Sequence, residues 1–372
     1  MSDSQLPGAV VTPAVVVDTD VLDTNLSAMA DTAARRGLVV RPHVKTHKSI
    51  EIARRQLALG AAGITVATVG EAEAFAAAGV GDIFIAYPVW ADRDRARRLR
   101  DLAGRIRLSV GVDSVAAVRE LAAALRGGAP VATLVPVHVL VEVDCGLRRS
   151  GVAPDDAGPV AAAAAAEGLR VGGVFTFPGH SYTPGGLESA AADEAAALAA
   201  AAASLAGAGL PCPVRSGGST PSAAWSAGPA DGGPVTEVRP GVYCFNDAQQ
   251  VVLGSYPVDR VALTVLATVV STPTPDRFIL DAGAKVLGQD RPAWAPGHGL
   301  LPGFPGAAIT GLWEHHAVVV PGPDGTRPQV GDVVTVIPNH VCTVVNLVDY
   351  LNVSRDGKLV DRWPVDARGR NT

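Results

Sequence analysis

A chain of 372 residues, 48% hydrophobic and 18% charged, has the composition of a soluble globular protein with apolar material enough for two cores. Its formal charge of -5 comes from 36 acidic and 31 basic side chains mixed along the chain, which leaves no basic stripe for nucleic-acid phosphates. Four scattered cysteines without a Cys-x-x-Cys pair, and a first segment MSDSQLPGAV lacking a basic region followed by an apolar run, argue against export and for a reducing cytoplasm.

In chain order, TPAVVVDTD (12–20) is β-like yet precedes the first predicted helix, 20–36, so it either begins the first domain or pairs with a later sheet. From residue 14 to about 250, short β-branched runs then alternate with longer Ala-rich or Arg-rich helical stretches. The predicted strands are VVRPHVK (39–45), GITVAT (63–68), DIFIAY (82–87), RLSVGV (107–112), VPVHVLVEVD (135–144) and RVGGVFTF (170–177). Each is short and apolar on both faces, as in a parallel sheet covered by helices. Helices are predicted at 71–79, 114–128 and 193–209 among others, and several start after Asp, Thr or Ser and stop at Gly, as caps require. The alanine runs near 160–166 and 190–206 are broken by Glu167, Asp193 and Glu194, which makes them helices of a soluble protein and not membrane spans. About eight βα units over roughly 240 residues match a (β/α)8 barrel. The sequence therefore predicts an α/β chain with a TIM-like barrel over 12–255 and a second domain over 256–372. That second domain reads as antiparallel β, because dense β-branched runs such as GDVVTVIPNHVCTVVNLV alternate with Pro and Gly turns.

Chemistry concentrates in a few segments. In RPHVKTHK (41–48), Lys45 stands at the end of a predicted strand, where barrels carry their reactive residues, flanked by His43 and His47 with Arg41 and Lys48 nearby. Neighbouring cations or partial desolvation favour a neutral, nucleophilic amine; the plainer alternative is a solvated anion-binding edge. In RSGGSTPS (215–222), Gly217 and Gly218 let the backbone approach an anion while Ser219 and Thr220 offer hydroxyl donors, although the same residues also make ordinary surface turns. EVRPGVY (237–243) adds Arg239 and Tyr243, the latter either a cap on a phosphate oxygen or a tyrosine packed at a seam. Arg149, in the glycine-bracketed loop of VDCGLRRSGV, offers a guanidinium to an oxyanion or is a plain surface arginine. In PNHVCTVV, His340 and Cys342 are two apart, so on an extended strand they share a face and suit one metal ion, zinc by their softness, with room left for water or substrate. A buried cysteine beside a satisfied histidine is the structural alternative.

Taken together, PHVKTHK, DCGLRRSGV, GHSY (179–182), SGGSTPS, RPGVY, LDAGAK (280–285), EHH (314–316) and PNHVC, in this order, resemble the D-serine dehydratase and D-threonine aldolase family. The resemblance covers roughly residues 12 to 355. It implies a fold-type III pyridoxal-phosphate enzyme with an alanine-racemase-like barrel and a C-terminal β domain, typically a homodimer, acting on small D-amino acids. By the same resemblance Lys45 is the Schiff-base lysine, and Arg149 lies near the cofactor's phenolic oxygen. Gly218, Ser219 and Thr220, with Tyr243, contact the phosphate, and His340 and Cys342 hold a divalent metal, zinc or manganese. The family's aldolases resemble a His-x-Asp pattern, whereas this chain has His-x-Cys like the dehydratases. That favours β-elimination of water from D-serine or a related substrate such as 3-hydroxyaspartate, with retro-aldol cleavage to glycine and an aldehyde as the alternative. An amino-acid racemase would need a second base that no tyrosine here can be assigned, and a non-catalytic pyridoxal-phosphate carrier would not need the long β domain.

Overall fold

The short, doubly apolar runs of the first two-thirds of the chain build a parallel sheet. In the computed structural model, which describes residues 10–127 and 137–372, its eight strands are Val39–Val40, Ile64–Val66, Asp82–Pro88, Arg107–Val112, His138–Glu142, Arg170–Phe175, Val214–Gly217 and Glu237–Val238. All neighbouring pairs are parallel, and the chain of pairs runs from the first strand through the last and back to the second. The ring is closed by a parallel bridge between His43 and Thr65, with Thr65 N donating to Pro42 O at 2.8 Å and Ala62 N to Val40 O at 3.0 Å. A closed parallel ring with interleaved helices is the predicted barrel. Residues 1–9 of the leading segment, Gly128 and residues 135–136 of two predicted elements lie outside the described residues.

The predicted strand at 39–45 is shorter than expected. Pro42 cannot donate to a ladder, so pairing stops at Val40, resumes only at the His43 bridge, and gives way to a 3-10 turn, Val44–Thr46, with Lys45 at its centre. The last two strands were not predicted, since runs of four and two residues carry no readable alternation. Helices Thr19–Arg35, Val69–Ala77 and Val115–Arg126 stand close to their predicted places, the last capped by Ser114 and ended at left-handed Gly127. Helix Leu187–Gly207 begins six residues before its predicted start, so Glu194 sits inside it, fully buried, instead of at its N-terminus. Phe84, Leu140 and Phe175 pack together in the barrel, the two rings edge to face at 5.0 Å, each worth roughly 1.5–3 kcal/mol when withdrawn from water.

The chain divides into two units. One holds the barrel and comprises Ala28–Lys45, Ile52–Gly241 and Gly369–Thr372; the other comprises the chain up to Ser27, Thr46–Glu51 and Val242–Arg368. In the second unit, Leu263–Thr274 buries every other residue from Leu263 to Val269, the period of a strand with one covered face. It pairs antiparallel with Ala14–Asp18, Arg277–Leu280 and Val333–Pro338. Ala14–Asp18 also pairs parallel with Tyr350–Arg355, so the leading β segment belongs to this sheet. The β-branched run after residue 333 is not one strand. Pro338 ends Val333–Pro338, Asn339 Nδ2 donates to the carbonyls of Asp290 and Gly297 at 2.8 Å each, and helix Val341–Leu347 follows with Val341, Val344 and Val345 buried on one face. Among the described residues no helix is long and apolar enough to cross a membrane.

Candidate active site

The barrel brings Lys45 to a turn next to the strand ring, where its side chain is half-buried. The cations that the sequence places beside it are otherwise engaged. Arg41 Nε donates to Glu237 Oε2 at 2.8 Å and its Nη1 to Asp82 Oδ1 at 2.6 Å, linking residues of the last and third barrel strands just beyond the end of the first. Lys48 Nζ donates to Asn346 Oδ1 at 2.8 Å in the second unit.

The Gly217–Thr220 segment ends a barrel strand and turns at Gly218, whose φ of +83° lies in the left-handed region. A Cβ there would stand 2.9 Å from Val238 Cβ, and one on Gly217 would stand 2.4 Å from the Glu194 carboxyl carbon. Ser219 Oγ lies 2.8 Å from both Ser181 Oγ and Ser222 Oγ, forming a buried line of hydroxyls, and Thr220 is buried beside it in sequence. The backbone N–H of Gly218 donates to Glu194 Oε2 at 2.5 Å, so this amide serves the protein and not an incoming anion. Burial pushes the Glu194 carboxyl up to about 7 against that N–H and the charge of Arg239, both of which pull it down. Arg239 is buried over the Phe84 and Phe175 rings and donates to Ser216 Oγ and to Thr176 O. Hydroxyl donors on a tight glycine turn, with a buried guanidinium nearby, fit the phosphate end of a cofactor. Neither Glu194 nor the stacking of Arg239 was legible in the sequence; a lone acid inside an alanine helix was the available hint.

Arg149 lies 5.1 Å over the Phe177 ring, its Nη2 is 3.9 Å from Glu142 Oε1, and its side chain is about half exposed. Glu142 is buried, accepts from Ser150 Oγ at 2.9 Å, and is raised by that burial against the Ser150 and Arg149 contributions. The arginine is thus aimed by an aromatic face and a carboxylate, as a donor to an external oxyanion would need to be.

The second unit gathers the other predicted residues. Tyr243 is buried in the 3-10 turn Val242–Cys244. His340 is the extended N-cap residue of helix Val341–Leu347, and Cys342 stands in its first turn. The strand geometry expected for this pair is therefore replaced by a strand-to-helix corner, which still brings imidazole and thiol within hydrogen-bonding reach. His340 Nδ1 lies 3.3 Å from Asp247 Oδ2, and Cys342 Sγ donates to Thr46 Oγ1 at 3.3 Å. Thr46 is the residue after Lys45 in the chain. Burial opposes charging the imidazole, but Cys342 and Asp247 outweigh it and hold His340 well above its ordinary range. Among the described residues, no three or more His, Cys, Asp and Glu side chains converge as metal ligands. An imidazole and a thiol fit a divalent ion with open positions, not a closed structural site. Asp247 and Thr46 escaped sequence reasoning, although NDAQQ has the look of a helix cap.

Residues 17–249 match the family described as Alanine racemase, N-terminal domain, and residues 262–354 that described as Putative serine dehydratase domain. The chain belongs to the D-serine dehydratase and D-threonine aldolase family. Members of this fold-type III pyridoxal-phosphate family resemble it end to end. The D-threo-3-hydroxyaspartate dehydratase of Delftia sp. is 38% identical, the alignment covering 95% of this chain and 96% of that one. A solved D-threo-3-hydroxyaspartate dehydratase with a cysteine replaced by alanine, in the metal-free form, superposes with a TM-score of 0.86 at 35% identity, over 96% of this chain and 97% of the other. That dehydratase has also been solved with a histidine, two positions before the cysteine, replaced by alanine. The D-threonine aldolase of Filomicrobium marinum gives a TM-score of 0.87 at 31% identity, over 99% of this chain and all of that one.

Proposed function

We propose that this chain is a pyridoxal-phosphate- and metal-dependent lyase that eliminates water from D-β-hydroxy amino acids, the resulting enamine then taking up water to give a 2-oxo acid and ammonia. The observation that carries the reading is the His340–Cys342 corner, a soft imidazole and thiol pair backed by Asp247 and Thr46. The same His-x-Cys spacing is altered in the solved dehydratase mutants, one of them metal-free. In this reading the barrel, roughly 12–255, is the cofactor domain, and 256–372 is the β domain that carries the metal ligands.

When bound, pyridoxal phosphate supplies an electron sink for charge released at the substrate α-carbon, and a divalent ion, zinc or manganese, supplies a Lewis acid for the β-hydroxyl. The protein does the rest. Lys45 Nζ would anchor the cofactor and, as a free amine, accept the substrate's α-proton. Ser219 and Thr220 would hold the phosphate with hydroxyl donors on a backbone turned by Gly218, with the Tyr243 phenol as a further donor. Arg149 would serve the cofactor's phenolic oxygen. His340 and Cys342 would hold the ion.

The aldolase reading is favoured by the full-length likeness to D-threonine aldolase. A product assay on purified protein with D-serine, D-threo-3-hydroxyaspartate and D-threonine, with zinc or manganese added and with chelator, separates the two. The expected result is ammonia and 2-oxo acid from the first two substrates, lost with chelator. Glycine and acetaldehyde from D-threonine as the dominant products would replace elimination by retro-aldol cleavage.

A further inference from the structure

Asp247 caps helix Ala248–Val252, a task that serine, threonine or asparagine performs equally well. Its carboxylate is nonetheless placed for a second task. Its side chain is fully buried, Oδ1 accepts from Gln250 N at 3.1 Å, and Oδ2 accepts from Val341 N at 3.3 Å while facing His340 Nδ1 at 3.3 Å. Two backbone amides already donate to this carboxylate, one to each oxygen, so both oxygens serve as acceptors. The third neighbour, His340 Nδ1, must then be the donor.

We propose that Asp247 is a positioning residue of the metal site: by taking the Nδ1 proton of His340 it fixes the ring's rotation and leaves Nε2 as the metal-binding atom. The inference rests on the reading that His340 and Cys342 hold a divalent ion. An imidazole held by a carboxylate on one nitrogen is a better-oriented and more basic ligand through the other. The Nδ1 contact does not use Nε2, so it orients the ring without occupying the metal-binding atom. Val341 N belongs to the residue after His340, so one carboxylate fixes both the ring and the start of the helix that carries Cys342. A hydroxyl at position 247 would keep the cap and lose the reach to the ring.

Two substitutions separate these tasks. Asp247→Ser keeps a capping oxygen but cannot span to His340; Asp247→Asn keeps length and cap but presents a neutral amide whose N–H can donate to Nδ1 and select the wrong tautomer. The measurement is titration of the full-length, cofactor-loaded protein with Co2+, read by its thiolate charge-transfer absorption, with zinc competition. Both variants should bind Co2+ about 10–100-fold more weakly than the parent. Their yellow cofactor colour and their thermal unfolding without metal should remain near those of the parent, which a collapsed corner would not allow. His340→Ala is the reference for total loss. If the parent binds Co2+ and His340→Ala does not, yet both Asp247 variants bind within about twofold of the parent, this inference alone is overturned. If the parent takes up no Co2+, or His340→Ala binds as the parent does, the metal reading falls and the inference with it.

Discussion

Around Gly218 the barrel presents hydroxyls, a bare backbone and a buried guanidinium; around His340 the antiparallel unit presents an imidazole and a thiol with a fully buried carboxylate behind them. The acid that accepts from Gly218 N in the first region is Glu194, and burial raises it toward its neutral form. The second carries Asp247, which backbone amides hold as an acceptor. The two acids are thus held differently: burial raises Glu194 beside hydroxyls and a guanidinium, whereas Asp247 accepts from two backbone amides and faces an imidazole. Local donors decide this, more than overall charge.

The largest effect that tests the contrast comes from one substitution in each region. Lys45→Ala should abolish the yellow colour of the cofactor-loaded protein and lower turnover by at least about 10²–10⁴-fold, since both the anchor and the proton acceptor are lost. Cys342→Ala should leave the colour intact and lower turnover as chelator does, with no recovery on adding metal. Spectra and rates of both proteins, side by side, check this; colour surviving in Lys45→Ala, or vanishing in Cys342→Ala, breaks the division of labour.

How far these regions could be read in advance follows from what holds them. The barrel was legible because its strands are apolar on both faces and its helices are capped, signals confined to a few neighbouring residues. Lys45 could be placed near a strand end from the sequence, but not on a 3-10 turn, because the effect of Pro42 on pairing depends on Thr65, on the adjoining strand. The His340–Cys342 pair was found from spacing, for a geometry the chain does not adopt. Val341, Val344 and Val345 fit a helix period as well as a strand, and the Asn339 anchors that favour the corner come from residues 290 and 297. Glu194 and Asp247 were invisible because their partners lie 24 and 93 residues away.

Glu194 gives the next largest effect, in the pH profile. Its folded value of about 7 lies above the ordinary 4.5, so the folded protein holds this proton more tightly than the unfolded chain. The stability tied to it is present below pH 4.5 and lost as pH rises through 7. Glu194→Gln is neutral throughout and keeps an oxygen for the Gly218 N–H. It should match the parent near pH 5 and exceed it by about 3 kcal/mol near pH 8. Urea unfolding across that range checks it; parallel profiles would mean that Glu194 is charged in the folded barrel and that the contrast with Asp247 is false.

The smallest effect isolates the bare backbone of the anion region. Gly218→Ala forces an L side chain into the left-handed region, a cost of about 1–2 kcal/mol, and sets its Cβ against Val238. Gly79, in the same unit, also has a positive φ of +92°, but a Cβ there meets nothing within 4 Å. Gly79→Ala therefore carries the backbone cost without the contact. Both variants should lower Tm, with Gly218→Ala the lower, because its neighbour is a packed valine on the adjoining strand. Cofactor retention should separate them more cleanly. Gly79→Ala should hold pyridoxal phosphate as the parent does, whereas Gly218→Ala, whose Cβ must push the Ser219–Thr220 turn away from Val238, should release it about 5–30-fold more readily through about 1–2 kcal/mol of weakened hydroxyl contacts. Dialysis of the two proteins, followed by their visible absorption, measures this. Equal retention would leave Gly218 with a turn to make and no anion to admit.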